Sequence, residues 1–163
     1  MAAFLRPANW PQALQLRAEH PDALVVAGGT DACVDINFGR LSPECLLDIS
    51  AVPELAVISR SDGRLRIGAG VTYSRLVAEI HADLPALAAA ARTVGSPQIR
   101  NRGTIGGNLG TSSPAGDCHP PLLASGAEIE IASLTGIRMV AAAEFFLAPK
   151  EQCLKPVDLP GRA

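Results

Sequence analysis

The spacing of hydrophobic residues predicts two helices and two strands in the first third of the chain. Asn9 is a suitable N-cap for a helix with apolar residues at helical spacing, which ends before Pro21. The apolar run at residues 23–27 predicts a strand, and residues 45–49 predict another. Between these two strands, a short helix is expected at residues 32–38.

A period of two then indicates a β-hairpin. Residues 55–58 and 65–67 are predicted strands, and they flank Asp62-Gly63, a dipeptide that favours a two-residue hairpin turn. Leucine or isoleucine alternates with arginine in the second strand. This alternation indicates an antiparallel sheet with one face in solvent.

The period next changes to that of a helix. Thr72 is predicted to cap one helix, and residues 85–93 are predicted to form a second helix that Gly95 ends. The glycine-rich residues 103–117 are predicted to be a loop, since glycine lowers helix propensity.

The last predicted elements are short. A helix is expected at residues 120–124, a pair of strands at 127–132 and 137–141, and one helical turn at 143–146. Residues 148–163 have three prolines and no amphipathic period, so an irregular, poorly anchored tail is expected there. Helices mixed with an antiparallel sheet make the predicted fold class α+β.

Composition narrows the class of protein. Hydrophobic residues make up 48% of the 163 residues, which is enough for a sizeable core. The net charge of -2 provides no basic field, so no nucleic-acid partner is expected. Because no apolar run of about 18 residues and no signal-like N-terminus occur, we expect a cytoplasmic protein without membrane contact. The four cysteines form no C-x-x-C pair, and no metal site is predicted.

The glycine-rich segment has the composition of a ligand-binding loop. Residues 103–117 contain five glycines, four hydroxyl side chains, Asn108 and Asp117, but no lysine or aromatic ring. Glycine has no Cβ, so the N–H groups at Gly106 and Gly107 are expected to approach an anion closely. Donors followed by an acidic acceptor suit the phosphates and ribose of a nucleotide. An ordinary long turn favours the same residue types, so both interpretations stay open.

A second glycine turn, Gly28-Gly29-Thr30-Asp31, follows the predicted strand at residues 23–27. N–H groups at a turn that enters a helix favour an anion. The spacing matches neither G-x-x-x-x-G-K-[ST] nor G-x-G-x-x-G, which disfavours a P-loop kinase and a Rossmann dehydrogenase. A tight turn that requires positive φ is the competing interpretation.

Taken together, the two glycine segments resemble the flavin-binding segments of the molybdenum hydroxylases, the family of xanthine dehydrogenase and aerobic carbon monoxide dehydrogenase. The motifs are Val-Ala-Gly-Gly-Thr-Asp at residues 26–31, Thr-Ile-Gly-Gly-Asn at 104–108 and Ser-Pro-Ala-Gly-Asp at 113–117. The resemblance covers residues 4–146 and concerns the medium subunit, or middle domain, of these enzymes. It implies the α+β FAD-binding fold of the vanillyl-alcohol oxidase (PCMH) type, with a small α/β lobe and a larger lobe that has an antiparallel sheet and flanking helices.

This resemblance also implies domain boundaries and a binding site. The expected divisions are an N-terminal lobe at residues 1–55, a second lobe at 56–147 and the irregular tail at 148–163, with FAD between the lobes. The first glycine turn would lie against the pyrophosphate, Asp117 would meet the ribose, and Val94 would lie beside the flavin. The positions transferred from the family are Ala27, Gly28, Gly29, Thr30, Asp31, Val94, Thr104, Gly107, Asn108, Ser112 and Asp117.

The function implied by the resemblance is electron transfer. In this family the flavin receives electrons from iron-sulfur centres of a partner subunit and passes them to NAD or another acceptor, while a molybdopterin-binding subunit carries the catalytic site. An oxidoreductase component of a hetero-oligomer is therefore expected, with no catalytic residue of its own. Members of the family normally continue into a C-terminal domain that covers the flavin. Residues 148–163 are too short for that domain, so its absence is expected, and the activity of this chain by itself stays an open question.

Two other functions stay open. A free-standing flavin-dependent reductase of the same superfamily would need its own proton donor, and a non-catalytic remnant or assembly module would keep the fold without FAD. Asp117-Cys118-His119 has the composition of a triad fragment or metal pair, but adjacent residues seldom converge on one site, so packing roles are expected for Cys118 and His119. The cations nearest the second segment, Arg100 and Arg102, are expected at the surface.

Overall fold

The computed structural model describes residues 2–163, and a three-stranded parallel sheet forms its first part. The central strand of this sheet is the last of the three in sequence, and each connection contains a helix. The predicted helices and strands of this region are confirmed. In chain order the elements are β1 (Ala3–Leu5), α1 (Trp10–Glu19), β2 (Leu24–Val26), α2 (Ala32–Asn37) and β3 (Cys45–Asp48).

Helix α1 is fixed at both ends by hydrogen bonds that the sequence provides. The side chain of Asn9 accepts a hydrogen bond of 2.9 Å from the Gln12 N–H, as an N-cap does. Ala13 has no exposed surface, so the face of the helix that contains Ala13 packs against the core. At the other end, Arg17 Nη1 donates to the carbonyl of Ala23 at 2.7 Å, so the helix is tied to the start of β2.

Two antiparallel strands, β4 (Ile58–Ser61) and β5 (Arg64–Ile67), form the predicted hairpin. Asp62 and Gly63 both have positive φ, 52° and 71°, which is the conformation that a type I′ turn requires. Before the hairpin the prediction is wrong, because Pro53–Ala56 is a 3₁₀ helix and not the start of a strand. Proline suits the first helical position and packing reinforces this short helix, since only 3% of the surface of its Leu55 is exposed.

The two predicted helices after the hairpin are confirmed as α3 (Tyr73–Glu79) and α4 (Pro85–Thr93). Thr72 caps the first, since its side chain accepts a hydrogen bond from the Arg75 N–H. A further short helix, α5 (Pro97–Arg100), was not predicted.

The prediction of a loop at residues 103–117 is wrong for its centre, which is helix α6 (Ile105–Thr111). Thr104 caps this helix, and the side chains of Ile105 and Leu109 are buried on one of its faces. Burial of this face and the cap outweigh the low helix propensity of three glycines. Helical propensity alone could not show this, because the surface that buries the helix comes from other parts of the chain.

The four short elements predicted after α6 are confirmed, and the last of them is the single helical turn. The strands β6 and β7 form an antiparallel hairpin, and its turn has two residues, Leu134 and Thr135, between the paired Ser133 and Gly136. These elements are α7 (His119–Ala124), β6 (Glu128–Ser133), β7 (Gly136–Ala141) and α8 (Ala142–Phe145).

The expectation of an irregular tail is wrong. The tail contributes to β8 (Phe146–Ala148) and contains β9 (Glu151–Gln152) and β10 (Leu159–Arg162), and β10 pairs with β6 in the order β10-β6-β7. Asp158 is buried, and its Oδ2 accepts hydrogen bonds of 2.8 Å from Arg138 Nη2 and 2.9 Å from the Lys155 N–H. Strand β10 could not be predicted, because four residues that include proline and glycine show no alternation of apolar and polar positions. Its partner, β6, is also distant in sequence.

The buried side chains form two clusters. Both clusters use distant segments, because Ala69 and Leu159 join the cluster that otherwise comes from the first part of the chain. The longest helix of residues 2–163 has 10 residues, and none has the length and apolar character needed to cross a bilayer. The lobe boundaries at residues 55 and 147 stay predictions. The smaller cluster consists of Ala13, Ala23, Leu47, Ile49, Val52, Leu55, Ala69 and Leu159, and the larger one includes Ile67, Leu76, Leu87, Ile105, Leu122, Ile131 and Phe145.

Replacing Leu159 by alanine should test whether β10 is anchored. Only 1% of Leu159 is exposed, so Leu159→Ala should lower the free energy of unfolding by about 2 to 5 kcal/mol in a urea titration. The matched control is Leu147→Ala, because 64% of Leu147 is exposed, and it should change stability by less than about 0.5 kcal/mol. Equal effects of the two substitutions would show that β10 does not contribute to the core.

Candidate functional site

A cavity of about 630 Å³ lies where the loop after β2, helix α6 and the segment before β10 meet. This volume is within the range of pockets that bind small molecules and cofactors. The two glycine segments, far apart in sequence, therefore share one cavity. Eight of the eleven predicted binding residues line it, namely Ala27, Gly28, Gly29, Thr30, Asp31, Thr104, Gly107 and Asn108.

The loop between β2 and α2 provides a row of free backbone donors. We call residues 28–32 the amide loop, because no acceptor in the described chain, residues 2–163, takes any of their five N–H groups. The next N–H, of Cys33, donates to the carbonyl of Gly29 at 3.0 Å, and Gly29 itself has a φ of 75°. Consecutive free N–H groups in a turn form a concave site for an anion.

Direct contacts hold the amide loop against the second glycine segment. A Cβ atom built on Gly28 would lie 2.0 Å from the carbonyl oxygen of Arg102, so only glycine permits this approach. Nearby, Thr111 Oγ1 donates a hydrogen bond of 3.2 Å to Asp31 Oδ2. The close contact and the hydrogen bond fix how far apart the two walls of the cavity lie.

Helix α6 contributes to the cavity differently from what the sequence indicated. The expectation that the N–H groups at Gly106 and Gly107 face an anion is wrong, since they donate to Ala69 O at 2.8 Å and to Thr104 Oγ1 at 3.0 Å. At Gly106 a Cβ would lie 2.6 Å from Ala69 O, so this glycine serves packing. At Gly107 a Cβ would meet only Thr104 Oγ1, at 3.1 Å. The space beside the Gly107 Cα is therefore open, and a contact between Gly107 and the cofactor stays a prediction.

Two buried polar atoms at the cavity have no partner. Asn108 Oδ1 and Arg17 Nε are the buried side-chain nitrogen or oxygen atoms that lack a hydrogen bond within residues 2–163, and both residues line the cavity. A buried polar group without a partner costs about 1 to 3 kcal/mol. A ligand that donates to Asn108 Oδ1 would remove that penalty, so this atom indicates a polar ligand.

Several cavity residues have no signal in the sequence. Arg17, Tyr73 and Lys155 line the cavity, from α1, from α3 and from the segment before β10. Burial lowers the pKa of the Arg17 guanidinium, since desolvation disfavours its charged form. Burial also strongly raises the pKa of Tyr73, so its hydroxyl stays protonated. Their proximity depends on how distant elements pack, which no local motif records.

Three predicted residues do not line this cavity within residues 2–163: Val94, Ser112 and Asp117. Val94 packs at the edge of the larger cluster, and its carbonyl accepts a hydrogen bond from Arg100 Nη1. Ser112 ends α6 with a φ of 45°, and its hydroxyl donates to Leu109 O. Asp117 is exposed. Their role in binding stays a prediction.

Cys118 and His119 have packing positions. Cys118 has no exposed surface, and burial raises the pKa of its thiol to about 12, so the reactive thiolate is scarce near neutral pH. The His119 ring stacks near Phe146 at a centroid distance of 4.3 Å, and its Nε2 lies 3.1 Å from Asn108 O. Desolvation lowers the pKa of His119. Through the contact with the Asn108 carbonyl, His119 packs against α6.

The groups around the cavity fit a dinucleotide. Five free N–H groups match the oxygens of a diphosphate, and Asn108 Oδ1 with the Asp31 carboxylate can accept from sugar or ribityl hydroxyls. Lining cations are few, since Arg17 and Lys155 face four lining aspartates. Amide dipoles would therefore contribute most of the stabilisation of the negatively charged phosphates. Arg100 and Arg102 do not line the cavity within residues 2–163, whereas Arg17 and Lys155 do. Arg102 is exposed, as expected, and Arg100 is partly exposed.

Sequence comparisons agree with this geometry. The profile of the family described as "FAD binding domain in molybdopterin dehydrogenase" matches residues 1–159. The putative xanthine dehydrogenase FAD-binding subunit of Escherichia coli K12 is 35% identical over 157 residues, and the nicotinate dehydrogenase FAD-subunit of Eubacterium barkeri is 37% identical over 147 residues. These alignments cover 94% and 88% of this chain but 54% and 50% of the relatives. The chain thus spans about half the length of the curated relatives it matches.

Solved structures share the fold. A chain of quinoline 2-oxidoreductase from Pseudomonas putida 86 superposes with a TM-score of 0.95 at 31% identity, covering 99% of this chain and 57% of that chain. A chain of carbon monoxide dehydrogenase from Hydrogenophaga pseudoflava superposes with the same TM-score at 30% identity and the same coverage. The likeness reaches past residue 146, where the resemblance in sequence was expected to end, and the predicted α+β FAD-binding fold is confirmed. The chain belongs to the family of FAD-binding domains of molybdopterin dehydrogenases, and its cofactor is FAD.

Proposed function

We propose that this chain is the FAD-binding component of a molybdenum hydroxylase complex, in which it passes electrons from iron-sulfur centres of a partner subunit to NAD or another acceptor. The observation that carries the proposal is the row of free N–H groups in the amide loop, opposite the unpaired Asn108 Oδ1, in one cavity. The family supports the cofactor. Relatives named as FAD subunits of xanthine and nicotinate dehydrogenases support an oxidoreductase.

The protein's part in this function is to bind and orient. FAD supplies the electron-transfer chemistry when it is bound. The amide loop would donate hydrogen bonds to the diphosphate, and Asn108 Oδ1 would accept one from a hydroxyl of the cofactor. The open Cα of Gly107 lets the cofactor lie close to α6, which His119 and Phe146 support from the other side. None of these steps requires a proton acceptor or a nucleophile from the chain.

The ionisable groups of the cavity favour a relay over a free-standing reductase. A reductase of this superfamily needs a proton donor close to the flavin, and an efficient donor has a pKa near the working pH. Tyr73 and Thr104 are buried hydroxyl residues that line the cavity, and burial raises the pKa of Tyr73 far above neutral. Tyr73 is therefore a hydrogen-bond donor and a poor acid, which suits a role in binding.

We also propose that the chain works in the cytoplasm, within a hetero-oligomer that contains an iron-sulfur subunit and a molybdopterin-binding subunit. A relative from Paenarthrobacter nicotinovorans, 32% identical, is named as the medium subunit of nicotine 6-hydroxylase, which supports such an assembly. In α2 and directly after it, Val34 and Phe38, one helical turn apart, are exposed by 43% and 72%. Apolar side chains grouped in this way are typical of a surface that another chain covers.

Two measurements test the proposal. The purified chain should show a flavin absorbance band at about 450 nm with about one flavin per chain. Under anaerobic conditions, a reduced iron-sulfur partner should then bleach this band, and NAD or an artificial acceptor should restore it. A chain that stays colourless in excess FAD would identify a remnant. Reduction by NADPH followed by turnover of a small unsaturated substrate would identify the free-standing reductase.

Replacing Gly107 should test the site on α6. In Gly107→Val the side chain would occupy the space that the cofactor needs, so the FAD dissociation constant should rise at least about tenfold in a fluorescence titration. Cys118→Ala is the control, because Cys118 is buried outside the cavity lining, and it should change the affinity far less. Equal affinities of the two variants would refute the assignment.

Asn108→Leu should separate binding from stability. The buried Oδ1 has no partner in the protein, so its removal should leave the apo-protein at least as stable in a thermal melt. FAD should bind about tenfold more weakly, since one hydrogen bond to the cofactor is lost. A variant that melts several degrees lower while its FAD affinity stays unchanged would assign Asn108 a structural role instead.

A further inference from the structure

The cavity lined by the amide loop and α6, which we call the FAD cavity, extends along the free edge of β2. In the sheet of order β1-β3-β2, strand β2 is paired on one side, with β3. The carbonyl of Val26 accepts a hydrogen bond from the Ile49 N–H, so the backbone groups of Val26 face β3. Because backbone groups alternate in direction along a strand, those of Val25 face the free edge. Within residues 2–163, the cavity lining accordingly includes Val25 but not Val26.

The backbone groups of Val25 are available to a ligand. Neither its N–H nor its C=O has a hydrogen-bond partner in the described part of the chain. A free donor beside a free acceptor is the complement of a base that has a ring nitrogen next to an amino group. Adenine has this pattern at its base-pairing edge. The free edge of β2 can therefore bind adenine through the backbone.

Arg17 lies at the end of this edge that is farther from the amide loop. Its Nη1 donates to Ala23 O at 2.7 Å, and four residues lead from Ala23 to Ala27, which precedes the amide loop. A chain of four residues spans at most about 14 Å. A dinucleotide whose diphosphate lies at the amide loop would therefore bring one of its two ring systems close to Arg17.

The Arg17 guanidinium has a buried donor that the protein does not use. Its Nε has no hydrogen-bond partner within residues 2–163, whereas Nη1 is held by the Ala23 carbonyl. Burial lowers the pKa of Arg17, and this effect exceeds the opposite effects of Asp22 and Asp158. A buried donor without a partner is unfavourable, so an acceptor atom of a ligand at Nε would be stabilised.

The end of the cavity at Arg17 suits the adenine half of FAD better than the flavin half. Leu24, Leu154 and Pro156 supply apolar surface for a flat ring. The wall continues into Leu159, of which 1% is exposed. The flavin must exchange electrons with a partner chain, a step that rests on the proposed function. The half of the cofactor without redox chemistry is therefore expected against this buried wall.

We propose that Arg17 selects the adenine base of FAD. Its Nε–H donates to one ring nitrogen of the base, and the Val25 N–H and C=O pair with a second ring nitrogen and with the amino group. Because Ala23 O holds Nη1, the guanidinium is oriented before the cofactor binds. Arg17 thus adds base specificity to a cavity whose amide loop distinguishes only phosphates.

Titrations with ADP and FMN test this assignment, because each ligand contains one half of FAD. Arg17→Met removes the Nε donor, so the ADP dissociation constant should rise at least about tenfold in isothermal titration calorimetry, while that of FMN should change less than about twofold. Arg17→Lys keeps the charge but has a methylene group at the position of Nε, so it should weaken ADP binding equally. Arg92→Met, at an exposed arginine outside the cavity lining, is the control and should change neither constant.

Three results of these titrations would overturn the proposal. Full ADP affinity in Arg17→Lys would show that the charge acts on the phosphates and that the Nε–H is not required. Equal losses for ADP and FMN in Arg17→Met would place the flavin at Arg17. No binding of ADP to the parent chain at millimolar concentration would show that this end of the cavity does not hold a base.

A further arm uses the unchanged protein, so it does not depend on the folding of a variant. IDP has an oxygen acceptor in place of the adenine amino group, and this oxygen would face the Val25 carbonyl. ADP should therefore bind at least about tenfold more tightly than IDP. Equal affinities would refute the base assignment. A chain that prefers ADP to IDP but shows no flavin band in excess FAD would contradict the proposed function and not the base selection.

Discussion

The cavity depends on one contact between backbones, that of Gly28 with the carbonyl of Arg102. A Cβ atom at Gly28 would lie 2.0 Å from that oxygen, so any other residue would push the two glycine segments apart. The approach brings the amide loop opposite α6, and the hydrogen bond from Thr111 to Asp31 holds them there. The separation of the walls, and hence the shape that a dinucleotide meets, follows from the absence of a single side chain.

In the proposed binding mode, oriented amide groups contribute more than charged side chains. Five N–H groups of the amide loop are free, whereas the cavity has two lining cations against four aspartates. Fixed dipoles stabilise a diphosphate without the desolvation penalty of a buried arginine or lysine. Burial lowers the pKa of the Arg17 guanidinium, which is the direction expected from that penalty. In this binding mode the position of the amide groups, and not the number of charged side chains, would determine how the cofactor is held.

The segment after residue 148 connects the parts of the molecule. Through Leu159 it enters the smaller hydrophobic cluster, through β10 it pairs with β6, and through Ala163 it pairs with β5. The Asp158 carboxylate, bonded to Arg138 and to the Lys155 N–H, fixes the turn that places Lys155 at the FAD cavity. This segment has no local sequence pattern, yet it lines the cavity and joins two hairpins, because its strand pairing and its burial depend on distant residues.

Local chemistry in the sequence determined the elements that have their own signals: the Asn9 and Thr72 caps, the Asp62-Gly63 hairpin and the periodic helices. Two glycine motifs in order were enough to predict the family, the fold and FAD. Only the tertiary structure decided that residues 105–111 are helical, since the burial of Ile105 and Leu109 outweighs glycine's propensity. Likewise, it alone decided that the N–H groups of Gly106 and Gly107 are paired within the protein while those of the amide loop are free. It also decided that Arg17, Tyr73 and Lys155 reach the cavity. A hydrogen bond or a contact between distant residues has no local sequence pattern, because its free energy depends on where the rest of the chain lies.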